Sequence, residues 1–190
     1  NNWRPDVAPR AGEHTFSGGI YRNVRLVITD KTYIDWCGTC ITTPTLEKTA
    51  GNSSTVHVTT KVVNSSNQPN RLSLVYTVLD EKGNTVTKSK CEKVLSPHQI
   101  WNADQTTVAV KSPLLWSPDA PHLYTLKTLL YSSNGLIDST SNQFGFRWFK
   151  FTADSGFFFN GKHLYFSGAN VHQDQAGWGD GVTDSAAHRD

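Results

Sequence analysis

Apolar and polar residues alternate through the middle of the chain. Val56, Val58, Thr60 and Val62 interleave with His57, Thr59 and Lys61, and Leu72, Leu74, Tyr76 and Val78 repeat the pattern. A period of two places one set on a buried face and the other in water, as in a strand. Asp80-Glu81-Lys82-Gly83-Asn84 then supplies turn residues before Val86, which predicts a β-hairpin. Val108 and Val110 run into Ser112-Pro113, where proline cannot donate to a ladder. Leu123 to Tyr131 is turned back by Ser132-Ser133-Asn134-Gly135 toward Leu136-Ile137. Between residues 32 and 146 this gives about seven short strands and no helical periodicity, the spacing of a two-sheet antiparallel sandwich of immunoglobulin-like type. The fold class is mainly β.

The flanks read differently. Val24-Arg25-Leu26-Val27-Ile28 predicts a strand that needs sheet partners from elsewhere. Phe157-Phe158-Phe159-Asn160-Gly161-Lys162 is an apolar run into an Asn-Gly turn, a hairpin signal. Leu164 to Val171 predicts another strand, followed by a Gly-rich loop and by Thr183-Asp184-Ser185, a helix N-cap with a barely started helix. Strand, loop and helix make the first unit of an α/β architecture. A complete (β/α)8 barrel takes about 250 residues, so only an incomplete first β/α unit is expected here. The chain therefore reads as an internal piece of a longer protein, with no signal peptide in this numbering.

Composition narrows the function classes. With 37% hydrophobic and 18% charged residues among 190, the chain has material for a core. No stretch reaches the roughly 18 apolar residues of a membrane helix, and scattered basic residues with a net charge of +2 leave no footprint for nucleic acid. Neither a membrane nor a nucleic acid is an expected partner. Cys37-Gly38-Thr39-Cys40 is a C-x-x-C, yet Cys91 stands alone and zinc needs four ligands. In an extended strand, positions three apart face opposite sides, so the two sulfurs should diverge. No metal site and no cofactor are expected. Asn52-Ser53-Ser54 and Asn64-Ser65-Ser66 match the short glycosylation acceptor pattern.

Four segments acquire meaning together: Ser17-Gly18-Gly19-Ile20-Tyr21-Arg22-Asn23-Val24; Leu115-Trp116-Ser117-Pro118-Asp119-Ala120-Pro121-His122-Leu123-Tyr124; Phe144-Gly145-Phe146-Arg147 with Gly156 to Lys162; and Gly168-Ala169-Asn170-Val171-His172-Gln173-Asp174. In this order and spacing the chain resembles glycoside hydrolase family 2, the β-galactosidase and β-glucuronidase family. The resemblance implies a domain plan: residues 1–29 the end of a jelly-roll sugar-binding domain, 30–145 the immunoglobulin-like sandwich, 146–190 the start of a catalytic barrel. It also implies a retaining β-glycosidase, β-galactosidase foremost, whose two catalytic Glu residues lie on later barrel strands. The chain offers Glu only at Glu13, Glu47, Glu81 and Glu92, none after Gly145, so no catalytic residue is assigned.

By the same resemblance His172 and Asp174 lie beside the sugar, hydrogen-bonding its hydroxyls, with Asn170 shaping the loop and Trp178 offering a stacking surface. The implied partner is a β-linked oligosaccharide, met through the complete barrel, and self-association between copies is left open. Export in a bacterium is consistent with the family. Trp101, Trp116 and Trp148 read as core or junction residues. The competing reading is a non-catalytic carbohydrate-binding or adhesion sandwich. It gives no purpose to the strand, loop and helix start after Phe159.

Overall fold

A computed structural model of the chain describes residue 20 and residues 22–171 and 179–189. The chain divides into two compact units, Ile28–Tyr165 and a second formed by Asn1–Val27 with Phe166–Asp190.

The larger unit is an antiparallel sandwich. Its strands in chain order are β1 (Thr32–Thr42), β2 (Ser53–Ser54), β3 (His57–Asn64), β4 (Asn70–Leu79), β5 (Thr85–Leu95), β6 (Ile100–Thr106), β7 (Val110–Lys111), β8 (Tyr124–Ser132), β9 (Gly135–Phe144), β10 (Phe149–Thr152), β11 (Gly156–Phe159) and β12 (Lys162–His163). One sheet has the order β1-β3-β6 and the other β5-β4-β8-β9, which makes the seven strands expected of an immunoglobulin-like sandwich. β2 pairs with β7, and β10-β11-β12 form a small sheet of their own.

The alternation seen in sequence becomes the core. Val58, Val62, Trp101 and Ala103 from one sheet meet Leu72, Leu74, Tyr76, Val78, Leu126 and Leu130 from the other, all buried in one cluster. Burial of a Leu or Val side chain stabilises by about 1.5–3 kcal/mol, which is why each sheet keeps one dry face. Burial also pushes the Tyr76 phenol, beside Thr60 and Cys91, above its ordinary pKa range.

Polar residues pin the loops. Asn64 is fully buried; its Oδ1 accepts from Thr32 Oγ1 (3.1 Å), Ser66 N (3.1 Å) and Ser66 Oγ (2.7 Å). Its Nδ2 donates to the carbonyls of Gln68 (2.9 Å), Leu95 (3.2 Å) and Ser96 (3.1 Å). One side chain thus ties β1, the β3–β4 turn and the end of β5. At the start of β8, Tyr124 Oη accepts from Leu114 N at 3.0 Å, an arrangement like the tyrosine corner of such sandwiches. The Tyr124 ring also packs edge-on to Phe146, centroids 4.8 Å apart.

The C-x-x-C segment departs from the sequence reading. Ile34 pairs with Val62 and Thr39 with Thr60, so residues 35–38 bulge out opposite Lys61 alone. Cys37 sits at φ +52° in that bulge, so the parity rule of an extended strand does not apply, and both Cys37 and Cys40 are exposed free thiols. Asp35 at the base of the bulge pairs with Lys61 Nζ at 2.7 Å, and Trp36 is 71% exposed.

The Asn-Gly signal at 160–161 was sound. Asn160 (φ +49°) and Gly161 (φ +78°) turn β11 into β12, both in the left-handed region that such a turn requires. Leu164 N still donates to Phe157 O at 3.0 Å, but neither Leu164 nor Tyr165 belongs to a strand, and Tyr165 is 85% exposed.

In the second unit neither 22–27 nor 166–171 forms a strand. Val24, Leu26, Phe166 and Val171 lie exposed in it, and a strand without a partner among the described residues has no ladder to satisfy its backbone groups. The helix start is as expected: α1 (Asp184–Ala187) is capped by Thr183, whose Oγ1 accepts from Ala186 N at 3.3 Å, and Ala186 is buried.

Candidate functional site

Of the four residues expected beside a sugar, His172, Asp174 and Trp178 lie outside the described residues. Asn170 is described: it is exposed, outside any strand or helix.

Several acidic groups of the sandwich are engaged in local contacts. Glu81 lies 2.8 Å from His122 Nδ1 and accepts from Leu123 N, tying the β4–β5 turn to the approach of β8. Glu92 is contacted by Lys90 Nζ and, at 3.7 Å, by Arg71. Asp138 accepts from Ile34 N at 2.8 Å across the two sheets. Glu47 is exposed in the 3-10 turn Glu47–Thr49.

Electrostatics argue against acid catalysis by these groups. A hydrogen bond from Lys61 holds Asp35 below the usual carboxylate range, bonds from Asn84 do so for Asp80, and Lys90 does so for Glu92. A general acid at neutral pH needs the opposite shift, which burial or a neighbouring negative charge provides. All three are solvated, and their shifts follow from partners that favour the charged form.

One trio has the outline of a catalytic relay. Thr42 Oγ1 lies 3.3 Å from His57 Nδ1, and His57 Nε2 lies 2.8 Å from Asp104 Oδ1. It spans β1, β3 and β6, and the Asp104 side chain is 70% exposed. In that wet setting the His57–Asp104 hydrogen bond is a cross-strand contact of small energetic weight. Among the described residues no three His, Cys, Asp or Glu side chains gather as a metal site. A shallow groove of about 180 Å³ on β4, β5 and β8 is lined by Arg71, Ser73, Glu92 and Tyr131 among others; it is smaller than the roughly 300–1,000 Å³ of ordinary ligand pockets.

The constellation that the sequence motifs do assemble is a junction. Trp116 N donates to Phe146 O at 3.0 Å, and Arg147 lies over the Trp116 ring, 4.7 Å from its centroid. Asn160 closes the junction: its backbone N donates to Trp148 O (2.9 Å), its Oδ1 accepts from Trp148 N (3.1 Å), and its Nδ2 donates to Trp116 O (2.9 Å). Phe159 stands edge-on to Trp116 at 5.7 Å. A Cβ on Gly145 would meet Trp116 Cβ at 2.6 Å, so only glycine allows this approach. Trp116, Phe144 to Arg147 and Asn160, apart in sequence, therefore fix the β10–β12 sheet to the sandwich. Sequence reasoning named these segments, but read Asn160 only as a turn residue. It missed Asn64 as a hub, having seen there only an acceptor pattern.

Comparison with known proteins fits this geometry. The family Glycosyl hydrolases family 2 matches residues 32–147, the sandwich up to the junction. Beta-galactosidase BoGH2A of Bacteroides ovatus is 30% identical over 98% of this chain and 22% of its own length. A beta-glucuronidase of Bacteroides fragilis is 31% identical over 93% of this chain and 25% of its own. The crystal structure of Bacteroides uniformis beta-glucuronidase superposes with a TM-score of 0.87 at 31% identity, covering 98% of this chain and 23% of that one. The chain thus spans about a quarter or less of the length of these relatives. By the family match across its sandwich, this chain belongs to glycosyl hydrolases family 2.

Proposed function

We propose that this chain is the sandwich-bearing segment of a retaining β-glycosidase that hydrolyses terminal β-linked sugars, β-galactosides in the first place. The observation that carries the reading is its relation to the relatives: near-full alignment of this chain with a quarter or less of proteins named beta-galactosidase and beta-glucuronidase. Retaining hydrolysis needs a nucleophilic carboxylate and an acid/base carboxyl about 5–5.5 Å apart. No Glu follows Gly145, and the carboxylates with displaced pKa values are shifted the wrong way for an acid. The chemistry is therefore assigned to sequence beyond this segment, and the sandwich acts as scaffold.

In this reading residues 1–29 end a jelly-roll domain, 30–145 are the sandwich, and 146–190 begin the catalytic barrel. His172, Asp174, Asn170 and Trp178 meet the sugar at the C-terminal end of the first barrel strand, where such barrels hold substrate. The relatives' names support a β-glucuronide as the second substrate reading.

Hydrolysis of an aryl β-galactoside and an aryl β-glucuronide tests the proposal, using the 190-residue chain and a polypeptide extended at both ends to family length. The 190-residue chain should give no turnover above buffer and the extended one should turn over. Turnover that tracks the short chain would overturn the assignment of chemistry elsewhere. Inactivity of the extended chain, with tight glycan binding by residues 30–145, would favour a non-catalytic binding module.

A further inference from the structure

The bulge in β1 turns two thiols outward. Ile34 lies in the core cluster and Ile41 packs against it, although an odd number of positions separates them and an unbroken strand would put them on opposite faces. The bulge absorbs the odd step. Thr39 opposes the buried Thr60 and Ile41 the buried Val58, so Cys40, between them and opposite Thr59, is turned to solvent. By the alternation of β3, Lys61 shares that outer face with Thr59, and its ammonium holds Asp35 at the base of the bulge. Cys37 is exposed in the bulge itself.

Length is the second condition. In an extended run the Cα atoms of residues three apart stand about 10 Å from each other, beyond the roughly 4.4–6.8 Å that a disulfide spans. Here β1 is not extended. Ile34 and Thr39 are opposed by Val62 and Thr60, which are only two positions apart, so the ends of the bulge stand about 7 Å apart and residues 35–38 occupy the length of one residue. A Cβ on Gly38 would lie 2.8 Å from Asp35 O, which shows the chain doubling back, and the φ of +52° at Cys37 belongs to a turn rather than a strand. Neither parity nor length keeps Cys37 from Cys40 at this bulge.

We infer that Cys37 and Cys40 form a thiol–disulfide site, a reduced pair that a low-molecular-weight disulfide, oxidised glutathione, closes into a bridge within β1. The thiolate of one cysteine attacks a sulfur of glutathione disulfide and expels one glutathione thiolate, leaving a mixed disulfide. The thiolate of the other cysteine then attacks the protein sulfur of that bond and expels the second glutathione. Two protein thiols are oxidised, one small disulfide is reduced, and the two protons the cysteines lose pass through water to the departing thiolates. Cys91 stands apart from this chemistry: it is half-buried on β5, and burial pushes its thiol above the ordinary range, where it stays protonated. The site does not depend on what the longer protein hydrolyses.

The test is to incubate the folded 190-residue chain with oxidised glutathione, alkylate it with iodoacetamide before and after unfolding, and weigh its peptides. The peptide carrying Cys37 and Cys40 should be unalkylated and lighter than its reduced form by two hydrogens, in monomeric protein, with Cys91 labelled once the chain is unfolded. Glutathione retained on Cys37 or Cys40, bridges between chains in place of the internal one, or two thiols still open to alkylation would each overturn the inference. Cys40→Ser, a change at an exposed position, isolates the first step. Cys37 should then keep its glutathione, because no second thiol displaces it; a Cys37 that takes up none would overturn the exchange.

Discussion

Asn64 Oδ1 accepts a hydrogen bond from Thr32 Oγ1 at 3.1 Å, joining the last residue of β3 to the first residue of β1 across 32 positions of sequence. Asn70 Nδ2 donates to the same Thr32 hydroxyl at 3.3 Å, so β4 is drawn into the contact. The pair anchors a loop end of the sandwich that apolar packing alone would leave undefined.

Truncating that hub strands several groups at once. Asn64→Ala removes donors to three carbonyls and the acceptor for Thr32 and Ser66. Buried polar groups left without partners cost about 2–4 kcal/mol in sum, seen as a lowered urea midpoint with an unchanged slope. Thr32→Val should cost about 1 kcal/mol, since it breaks fewer bonds.

Gly145→Ala tests the junction. The added methyl collides with Trp116 Cβ, an atom fixed by the backbone rather than a flexible tip, and overpacking of this kind costs about 1–3 kcal/mol. Trimming the ring relieves it only in part, because Trp116→Ala removes Cγ (2.9 Å from the added methyl) and Cδ1 (3.2 Å) but keeps the Cβ at 2.6 Å. A double-mutant cycle between the two positions should therefore recover part, but not all, of the Gly145→Ala loss.

Tyr124→Phe isolates the hydroxyl from the ring. The ring keeps its contacts with Phe144 and Phe146, while Leu114 N loses its acceptor. The expected loss is about 1 kcal/mol, with sheet structure intact by circular dichroism.

Acid should weaken the sandwich in a defined direction. Asp35, Asp80 and Glu92 have folded pKa values below their ordinary ones, because Lys61, Asn84 and Lys90 respectively favour the charged form. Their contribution is complete above the unfolded carboxylate range of about 3.9–4.3, and is lost as pH falls through the lower folded values. Melting temperature should thus be flat down to about pH 5 and decline below it. Asp35→Asn should make that decline shallower; an equally steep decline would remove the Asp35–Lys61 pair from the account.

Much of the fold was legible because burial in a sandwich imposes parity. The alternation in β3 and β4 marked the residues that prove buried, and the turns at 80–84 and 160–161 carried glycine or asparagine where positive φ is needed. What escaped was set by tertiary contact. The bulge at 35–38 has no local sequence mark beyond Gly38, and the parity argument about Cys37 and Cys40 failed with it. Strands expected at Val24–Ile28 and Leu164–Val171 had the right composition, but a strand is a property of a pair, and among the described residues no ladder runs along them beyond the Leu164 N to Phe157 O bond. The sugar-facing expectations rested on family resemblance, and of those residues only Asn170 lies among the described ones.

Asn64 also sets a clock. It heads an Asn-Ser-Ser acceptor sequence, but in the folded sandwich its amide nitrogen is buried and already donates to three carbonyls. A glycosylating enzyme can reach it only before β1, β3 and β5 close around it. If the gene is passed through a eukaryotic secretory pathway, a glycan at Asn64 marks molecules that were modified ahead of folding, whereas Asn52, exposed beside β2, stays open afterwards. The ratio of occupancy at the two positions would then time the closure of the sandwich against a modification of known schedule.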